Sequence, residues 1–292
     1  MNKYCSCNLC GGEDIKFLWE KGGSPRYGYK ILQCQNCELV FIDTILDDEE
    51  FYSKDFFVGG DQLTASYTDY VQDREILKPE LKRRLTRIKE FVRGGSGGRL
   101  LDVGCALGFF LDEARNDFDT YGVEISKFAA EYSSEKLGLQ VTTGRFLDIE
   151  FESESFDCIT FWDVIEHLPD PTLNLKKAYN LLKPNGLLVL STGDIGSFVA
   201  KLMGKHWHLL LPPQHIYYFS QETIKKILEK TGFEVVKIKY WGKSMTLTHF
   251  FRRLSFLLKN RLLYQLIELT PMSKMRLELN LFDIMTVFAR KL

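Results

Sequence analysis

The sequence predicts an α/β chain: a doubly wound, seven-stranded Rossmann-like sheet preceded by a small module stapled by metal. Three observations carry this. From Arg99 onward, short apolar segments alternate with amphipathic ones, the rhythm of strand and crossover helix. Two of the strands, 99–103 and 120–124, each end on a carboxylate, and a glycine turn follows the first. Four of the seven cysteines fall into two C-x-x-C pairs, Cys7 with Cys10 and Cys34 with Cys37.

Composition sets the outer bounds. A chain of 292 residues with 45% hydrophobic and 26% charged residues builds a sizeable core, as ordinary globular proteins do. A net charge of -1 gives no general pull toward nucleic acid. Met1-Asn-Lys-Tyr-Cys is not a secretory leader, and no apolar run reaches the ~20 residues of a membrane span. A cytoplasmic protein is therefore expected, in which clustered cysteines bind metal more often than they pair.

Residues 1–45 read as a zinc ribbon. Each C-x-x-C, followed by Gly11-Gly12 or Glu38-Leu39, can form a tight knuckle presenting two thiolates to one tetrahedral ion. Cys5 is a possible substitute for Cys7. The role expected of the zinc is structural, because some forty residues cannot build a core alone. Residues 46–98 read as a helical linker and cover. Ile76, Leu81, Leu85, Ile88 and Val92 recur at helical spacing, with Lys82, Arg83, Arg84 and Arg87 read as a solvated face. Gly94-Gly-Ser-Gly-Gly98 is a flexible joint.

The main domain, 99–292, carries strands at 99–103, 120–124, 140–143, 156–162, 186–191, 233–240 and 282–291. Helices fall at 109–116, 127–137, 171–182 and 221–231, the last capped by Ser220. Lys183-Pro-Asn-Gly186 reads as a turn. One segment breaks the plan: 246–280, between the sixth and seventh strands, reads as a helical insertion. Phe250, Phe251, Leu254, Leu257, Leu258 and Leu262 share one helical face, with Arg252, Arg253 and Lys259 opposite. It fits a cap on the protein's own core, a lid, a dimer surface, or peripheral contact with an acidic membrane through 246–270. Oligomeric state stays open.

The chemistry concentrates in Leu101-Asp-Val-Gly-Cys-Ala-Leu-Gly-Phe109 and in Tyr121-Gly-Val-Glu-Ile125. Bare backbone at Gly104 and Gly108 admits a ligand close to the main chain. Glu124, at a strand tip, is placed to accept from a ribose diol. Asp102 beside the turn would repel a pyrophosphate but suits an amine or a sulfonium. At these residues the chain resembles the class I S-adenosylmethionine-dependent methyltransferases, whose first motif reads acid-x-G-x-G-x-G; Ala106 departs from it at the middle glycine.

Asp163-Val-Ile-Glu-His-Leu-Pro-Asp-Pro171 is similar to the D-V-x-E-H-x-x-D-P signature of a branch acting on small molecules and sugars. The resemblance implies that the last strand runs antiparallel. It implies that Asp102, Gly104, Cys105, Gly108 and Phe109 form the cofactor turn, with Glu124 and Ile125 at the ribose. Trp162 and Asp163 border the methionine part. The adenine end falls at Gly144-Arg-Phe146, with Asp148 the nearest acid and Phe146 lining the site.

A hydroxyl acceptor needs a general base, most often histidine. His215, in a P-x-H-x-x-x-F-S arrangement recurring in this branch, is the expected base, and His167 the residue that orients the cofactor loop. His208 is next in line; His206 lies beside it and His249 sits in the insertion. Trp207, Tyr217 and Tyr218 suit either an apolar shelf for a sugar ring or the core. The function expected is O-methylation of a small-molecule, sugar or glycan acceptor, as in polysaccharide biosynthesis. C-methylation of a nucleotide-linked keto-sugar is one alternative, weakened because Gln214 stands where those enzymes carry glutamate. A zinc-ribbon ribosomal RNA base methyltransferase is another. Against it, the ribbon carries Glu13, Asp14, Glu20 and Asp43 rather than a basic stripe, so nucleic acid is not the expected partner.

Overall fold

The computed structural model describes residues 6–24, 27–43, 57, 71, 74–246 and 276–292. Cys5, His249, most of 46–73 and the apolar run predicted for the insertion lie outside them. The N-terminal module is an antiparallel sheet of β1 (Ile15–Ser24), β2 (Tyr27–Cys34) and β3 (Val40–Ile42). Next comes α1 (Arg74–Phe91), whose Leu77, Leu81, Leu85 and Ile88 are buried at helical spacing.

The domain that follows alternates as the sequence predicts: β4 (Arg99–Val103), α2 (Phe109–Ala114), β5 (Asp119–Glu124), α3 (Lys127–Glu131), β6 (Gln140–Thr143), β7 (Phe156–Trp162), α4 (Pro171–Leu181) and β8 (Leu182–Gly193). Then come α5 (Phe198–Met203), the two-residue β9 (Tyr217–Tyr218), α6 (Gln221–Lys230), β10 (Phe233–Tyr240), β11 (Lys243–Thr246), β12 (Arg276–Leu279) and β13 (Ile284–Lys291). The large sheet has the order β10-β13-β8-β7-β4-β5-β6. β4, β5, β6, β7 and β8 pair in parallel, and β13 runs antiparallel to β8 and β10.

Strand alternation builds two cores, one on each face of this sheet. Leu101, Leu188, Leu190 and Val287 pack with α4, α6 and the N-terminal module. Their sequence neighbours Leu100, Leu187, Val189 and Phe288 pack with α1, α2 and α3. Adjacent residues of a strand point to opposite faces, so near-continuous apolar runs mark strands covered on both sides. Truncating Leu188 or Phe288 to alanine should cost about 2–5 kcal/mol.

The helices begin where the sequence says. Asp170 accepts the Leu173 N–H at 2.9 Å ahead of Pro171, and Ser220 with Thr223 forms a capping box on α6. Three details differ from the sequence reading. The helix expected over 127–137 changes to a π-helical turn after Glu131, where Ser133 Oγ bonds both Ala129 O and Ala106 O. The Lys183–Gly186 turn is absorbed into β8 as a register shift against β7, with Asn185 at φ 64°. And the expected insertion is not helical at its ends, where β11 pairs antiparallel with β12.

The N-terminal sheet does not stand alone. β9, from the chain beyond β8, adds to β3 as a fourth strand. Lys230 Nζ reaches Leu9 O at 2.6 Å, and Thr172 Oγ1 donates to Asn8 Oδ1 at 2.6 Å. The module is thereby tied to α4 and α6. No helix among the described residues is long and apolar enough to cross a membrane.

Candidate active site

The turn after β4 is left-handed at three alternate residues: Gly104 (φ 70°), Ala106 (φ 50°) and Gly108 (φ 75°). Ala106 is the residue out of keeping, since a Cβ disfavours this region. Its N–H donates to Glu124 Oε2 at 2.8 Å, and the Ser126 N–H donates to Oε1 at 2.8 Å. These bonds hold the β5 carboxylate at the cavity wall. A carboxylate has about four lone-pair sites, so capacity remains for a diol. Burial pushes the Glu124 carboxyl up, against the Ser126 and Ala106 N–H groups that favour its ionised form. Gly104 packs tightly: a Cβ there would sit 2.6 Å from Val164 Cγ2. Gly108, expected beside the cofactor, instead lies outside the cavity lining. It starts α2, where a Cβ would meet Leu139 Cδ1 at 2.7 Å and Ser133 Oγ at 2.9 Å, so its bareness serves packing of the turn.

Asp102 is fully buried and accepts from Thr160 Oγ1 at 2.6 Å. Burial raises its carboxyl to about 7; Thr160 and the positive Arg84 pull the other way, and Glu124 adds to the rise. Arg84 is the main residue missed by the sequence reading. Rather than facing solvent, its side chain is only 15% exposed. It ion-pairs with Glu80 at 2.6 Å, lies 3.5 Å from Asp163 Oδ2, and stacks 4.5 Å above the Trp162 ring. Its position three residues after Leu81 and four before Ile88 puts it on the buried stripe of α1, a signal that the basic run around it concealed.

These residues line one cavity of about 520 Å³ at the carboxyl ends of β4, β5, β7 and β8. Asp102, Gly104, Cys105, Phe109, Glu124, Ile125, Phe146, Trp162, Asp163, His167 and His215 all contribute. Phe146 lies edge-on to Phe161, with Gly144, Arg145 and Asp148 beside it. Among the described residues, the buried Trp162 Nε1 has no hydrogen-bond partner. The walls fit a cationic nucleoside: a carboxylate pair at one side, an indole donor and a guanidinium at the other. Asp163 holds φ 55°, with its N–H bonded to Ser191 Oγ at 2.9 Å.

At the far end, His167 and His215 come together. Their Nδ1 atoms lie 2.8 Å from Gln214 O and 2.8 Å from Leu209 O. A carbonyl only accepts, so each Nδ1 carries a proton, and in the neutral His215 ring Nε2 holds the lone pair. Donor atoms of Glu166, His167 and His215 lie within 4.8 Å of one another. Burial lowers the basicity of His167, opposed by the Gln214 carbonyl and by the charge and backbone of Asp163. His208 also lines the cavity, 3.6 Å from the buried Asp283. His206 is exposed outside it, and Trp207, Tyr217 and Tyr218 are core residues rather than a shelf.

The four expected cysteines meet. Cys7 Sγ lies 3.4 Å from Cys37 Sγ, and Cys10 Sγ 3.5 Å from Cys34 Sγ, with all four within 4.8 Å of one another. Zinc–sulfur bonds of about 2.3 Å put tetrahedral thiolates about 3.8 Å apart, so the donor set fits a zinc ion. The two knuckles match at their fifth residue: Gly11 at φ 74° and Glu38 at φ 71°. Cys7 and Cys37 are buried, which pushes the Cys7 thiol up to about 11 and the Cys37 thiol higher still in the absence of an ion.

A seven-stranded sheet of this order, with an antiparallel last strand and a carboxylate-bearing glycine turn, is the fold that S-adenosylmethionine-dependent methyltransferases share. Comparison with known proteins agrees. Residues 73–238 match the family described as "Methyltransferase domain", and the chain belongs to that family. A ubiquinone biosynthesis O-methyltransferase of Cereibacter sphaeroides is 28% identical over 192 residues, 61% of this chain and 74% of the relative. Its counterpart in Pasteurella multocida is 28% identical over 54% of this chain and 78% of its own length. Among solved structures, a SAM-dependent methyltransferase from Archaeoglobus fulgidus superposes with TM-score 0.51 at 21% identity, covering 76% of this chain and 99% of that one. The YcgJ protein of Bacillus subtilis gives TM-score 0.53 at 15% identity, covering 72% and 98%. These two likenesses concern the fold.

Proposed function

We propose that this enzyme methylates a hydroxyl of a small molecule, with His215 as the general base. The observation that carries the reading is the Nδ1-to-carbonyl bond of His215, which fixes the tautomer with its basic Nε2 lone pair in a ring that lines the cavity. Relatives named as O-methyltransferases support a hydroxyl acceptor.

When bound, S-adenosylmethionine supplies an electrophilic methyl carbon on a sulfonium. Glu124 would hold the ribose hydroxyls, Phe146 and its neighbours the adenine, and Asp102 would balance positive charge. Arg84 and Trp162 Nε1 would bind the amino-acid carboxylate, since both are donors at the Asp163 side of the cavity. The chain's remaining task is to fix the acceptor oxygen and receive its proton. His215 takes that proton on Nε2, and the Leu209 carbonyl steadies the resulting imidazolium through Nδ1. His167, edge-on to it, orients the turn after β7. We also propose a structural zinc held by Cys7, Cys10, Cys34 and Cys37.

The test is a screen of purified protein with labelled cofactor against phenols, nucleotide-sugars, glycans and RNA. Label in an ether of a phenol or sugar supports the reading and identifies the acceptor class. Label in RNA, or on carbon, overturns it.

A further inference from the structure

The two cysteine knuckles are finished by side chains from far along the chain. In the first, the Leu9 and Cys10 N–H groups donate to Cys7 Sγ, and the Gly12 N–H donates to Cys10 Sγ at 3.4 Å. In the second, the Asn36 and Cys37 N–H groups donate to Cys34 Sγ, and the Leu39 N–H to Cys37 Sγ. Buried thiolates need such donors because they have lost water. Each of these N–H groups belongs to a planar peptide whose carbonyl points the other way. The Leu9 N–H shares its peptide with Asn8 O, and the Cys10 N–H with Leu9 O. Lys230 Nζ donates to both of those oxygens, at 3.3 Å to Asn8 O and 2.6 Å to Leu9 O. Thr172 Oγ1, from α4, adds a bond to Asn8 O at 3.3 Å. One turn before Lys230 on α6, Lys226 Nζ reaches Cys37 O at 3.4 Å. Spacing of four residues puts the two lysines on one side of the helix, one at each knuckle.

We propose that Lys230, with Lys226 beside it, is a positioning residue of the zinc centre that raises its affinity for the ion. The inference rests on the structural zinc proposed above. A donor on an amide oxygen polarises the N–H of the same peptide, so a cation at Asn8 O and Leu9 O strengthens both N–H bonds to Cys7 Sγ. Charge works in the same direction. Four thiolates outweigh the charge of one zinc ion, so the loaded centre is anionic, and ammonium groups on its knuckles offset part of that charge. The ligands all lie in the ribbon, yet part of the affinity comes from α6.

The experiment is zinc transfer from the full chain to a chromophoric chelator, with the visible spectrum of the cobalt(II)-loaded chain recorded beside it. Lys230→Met keeps the aliphatic stem and removes the donor. It should lower zinc affinity about tenfold, the lower end for loss of an outer-shell partner, and Lys226→Met with Lys230→Met should lower it further. Weaker N–H bonds leave the sulfur lone pairs easier to ionise, so the thiolate-to-cobalt charge-transfer band should move to longer wavelength in Lys230→Met. Lys230→Arg should restore both parent values, and Lys225→Met, which removes the same charge from the same helix, should reproduce neither change. Parent-like S-adenosylhomocysteine binding by calorimetry verifies that each variant is folded; Lys230→Gln is the milder version if Lys230→Met is not. Parent-like zinc affinity in Lys230→Met overturns the inference while the zinc centre stands. So does a lowered affinity with an unmoved band, which would make Lys230 a tether between α6 and the ribbon, or an equal loss in Lys225→Met. A parent chain that takes up no zinc overturns the zinc centre itself, and this inference with it.

Discussion

His167 and His215 stand edge to face, their ring centroids 4.8 Å apart and their planes at 86°. They are 48 residues apart in the chain, yet hydrogen bonds join their loops: the Ile216 N–H donates to Glu166 O at 2.8 Å, and His167 Nδ1 to Gln214 O at 2.8 Å. His215→Ala should lower turnover ~10²–10⁴-fold while leaving S-adenosylhomocysteine affinity near the parent value. His167→Ala should disturb cofactor binding as well, because its segment continues from Asp163. Steady-state kinetics with calorimetry on both variants separates the roles; a His215→Ala enzyme with most of its activity moves the base to His208 or to the substrate.

Asp102 should make cofactor binding pH-dependent. Its carboxyl, raised to about 7 by burial, is half protonated near neutrality, and a cationic ligand favours the ionised form. S-adenosylmethionine affinity should therefore fall as pH drops from 8 to 6, and Asp102→Asn should flatten that profile. Stability runs the other way. The folded protein binds this proton more tightly than the unfolded chain, with its ordinary value of 3.8. The stabilisation is complete below that value and is lost as pH rises to about 7. Asp102→Asn should thus raise the melting temperature at pH 8 by about 3 °C or more and hardly change it at pH 4.

Arg84 gives a sharper test of how the cofactor is oriented. Arg84→Ala should weaken S-adenosylhomocysteine about tenfold or more, the scale of a lost charged hydrogen bond. It should leave 5′-methylthioadenosine, which lacks the carboxylate, nearly unaffected. Equal losses for the two ligands in titration calorimetry would mean that Arg84 supports the fold of α1 rather than the ligand.

The N-terminal module should matter to turnover more than to cofactor binding. The Ile42 N–H donates to Ile216 O at 2.9 Å, so the ribbon edge is bonded to the residue after His215. Metal analysis should find one zinc per chain. Cys34→Ser, or chelation, should lower turnover while S-adenosylhomocysteine still binds. Full activity after loss of the metal, or ready alkylation of Cys7 in metal-loaded protein, would contradict this.

Much of this was readable in the chain because periodicity and turn chemistry are local. Asp102, Gly104 and Glu124 sit where strand ends and a glycine turn put them, and Asp170-Pro171 and Ser220 announce their helices. What escaped depends on packing at long range. Arg84 lies in a basic run that looks solvated until α1 is placed over Trp162. Gly108 has the motif's glycine but spends its bareness on Ser133 and Leu139. β9 is two residues long, with no strand signal of its own, and exists because β3 offers it an edge.

The central claim is that a nucleoside cofactor lies across Asp102, Gly104, Glu124 and Trp162. Calorimetric titration with S-adenosylmethionine, against NAD as competitor, measures it most directly. Micromolar-range binding that NAD does not displace, weakened by about 1–3 kcal/mol in Glu124→Ala, is the predicted result. An Asp102→Ala and Glu124→Ala double variant that binds as tightly as the parent, or displacement by NAD, would contradict it.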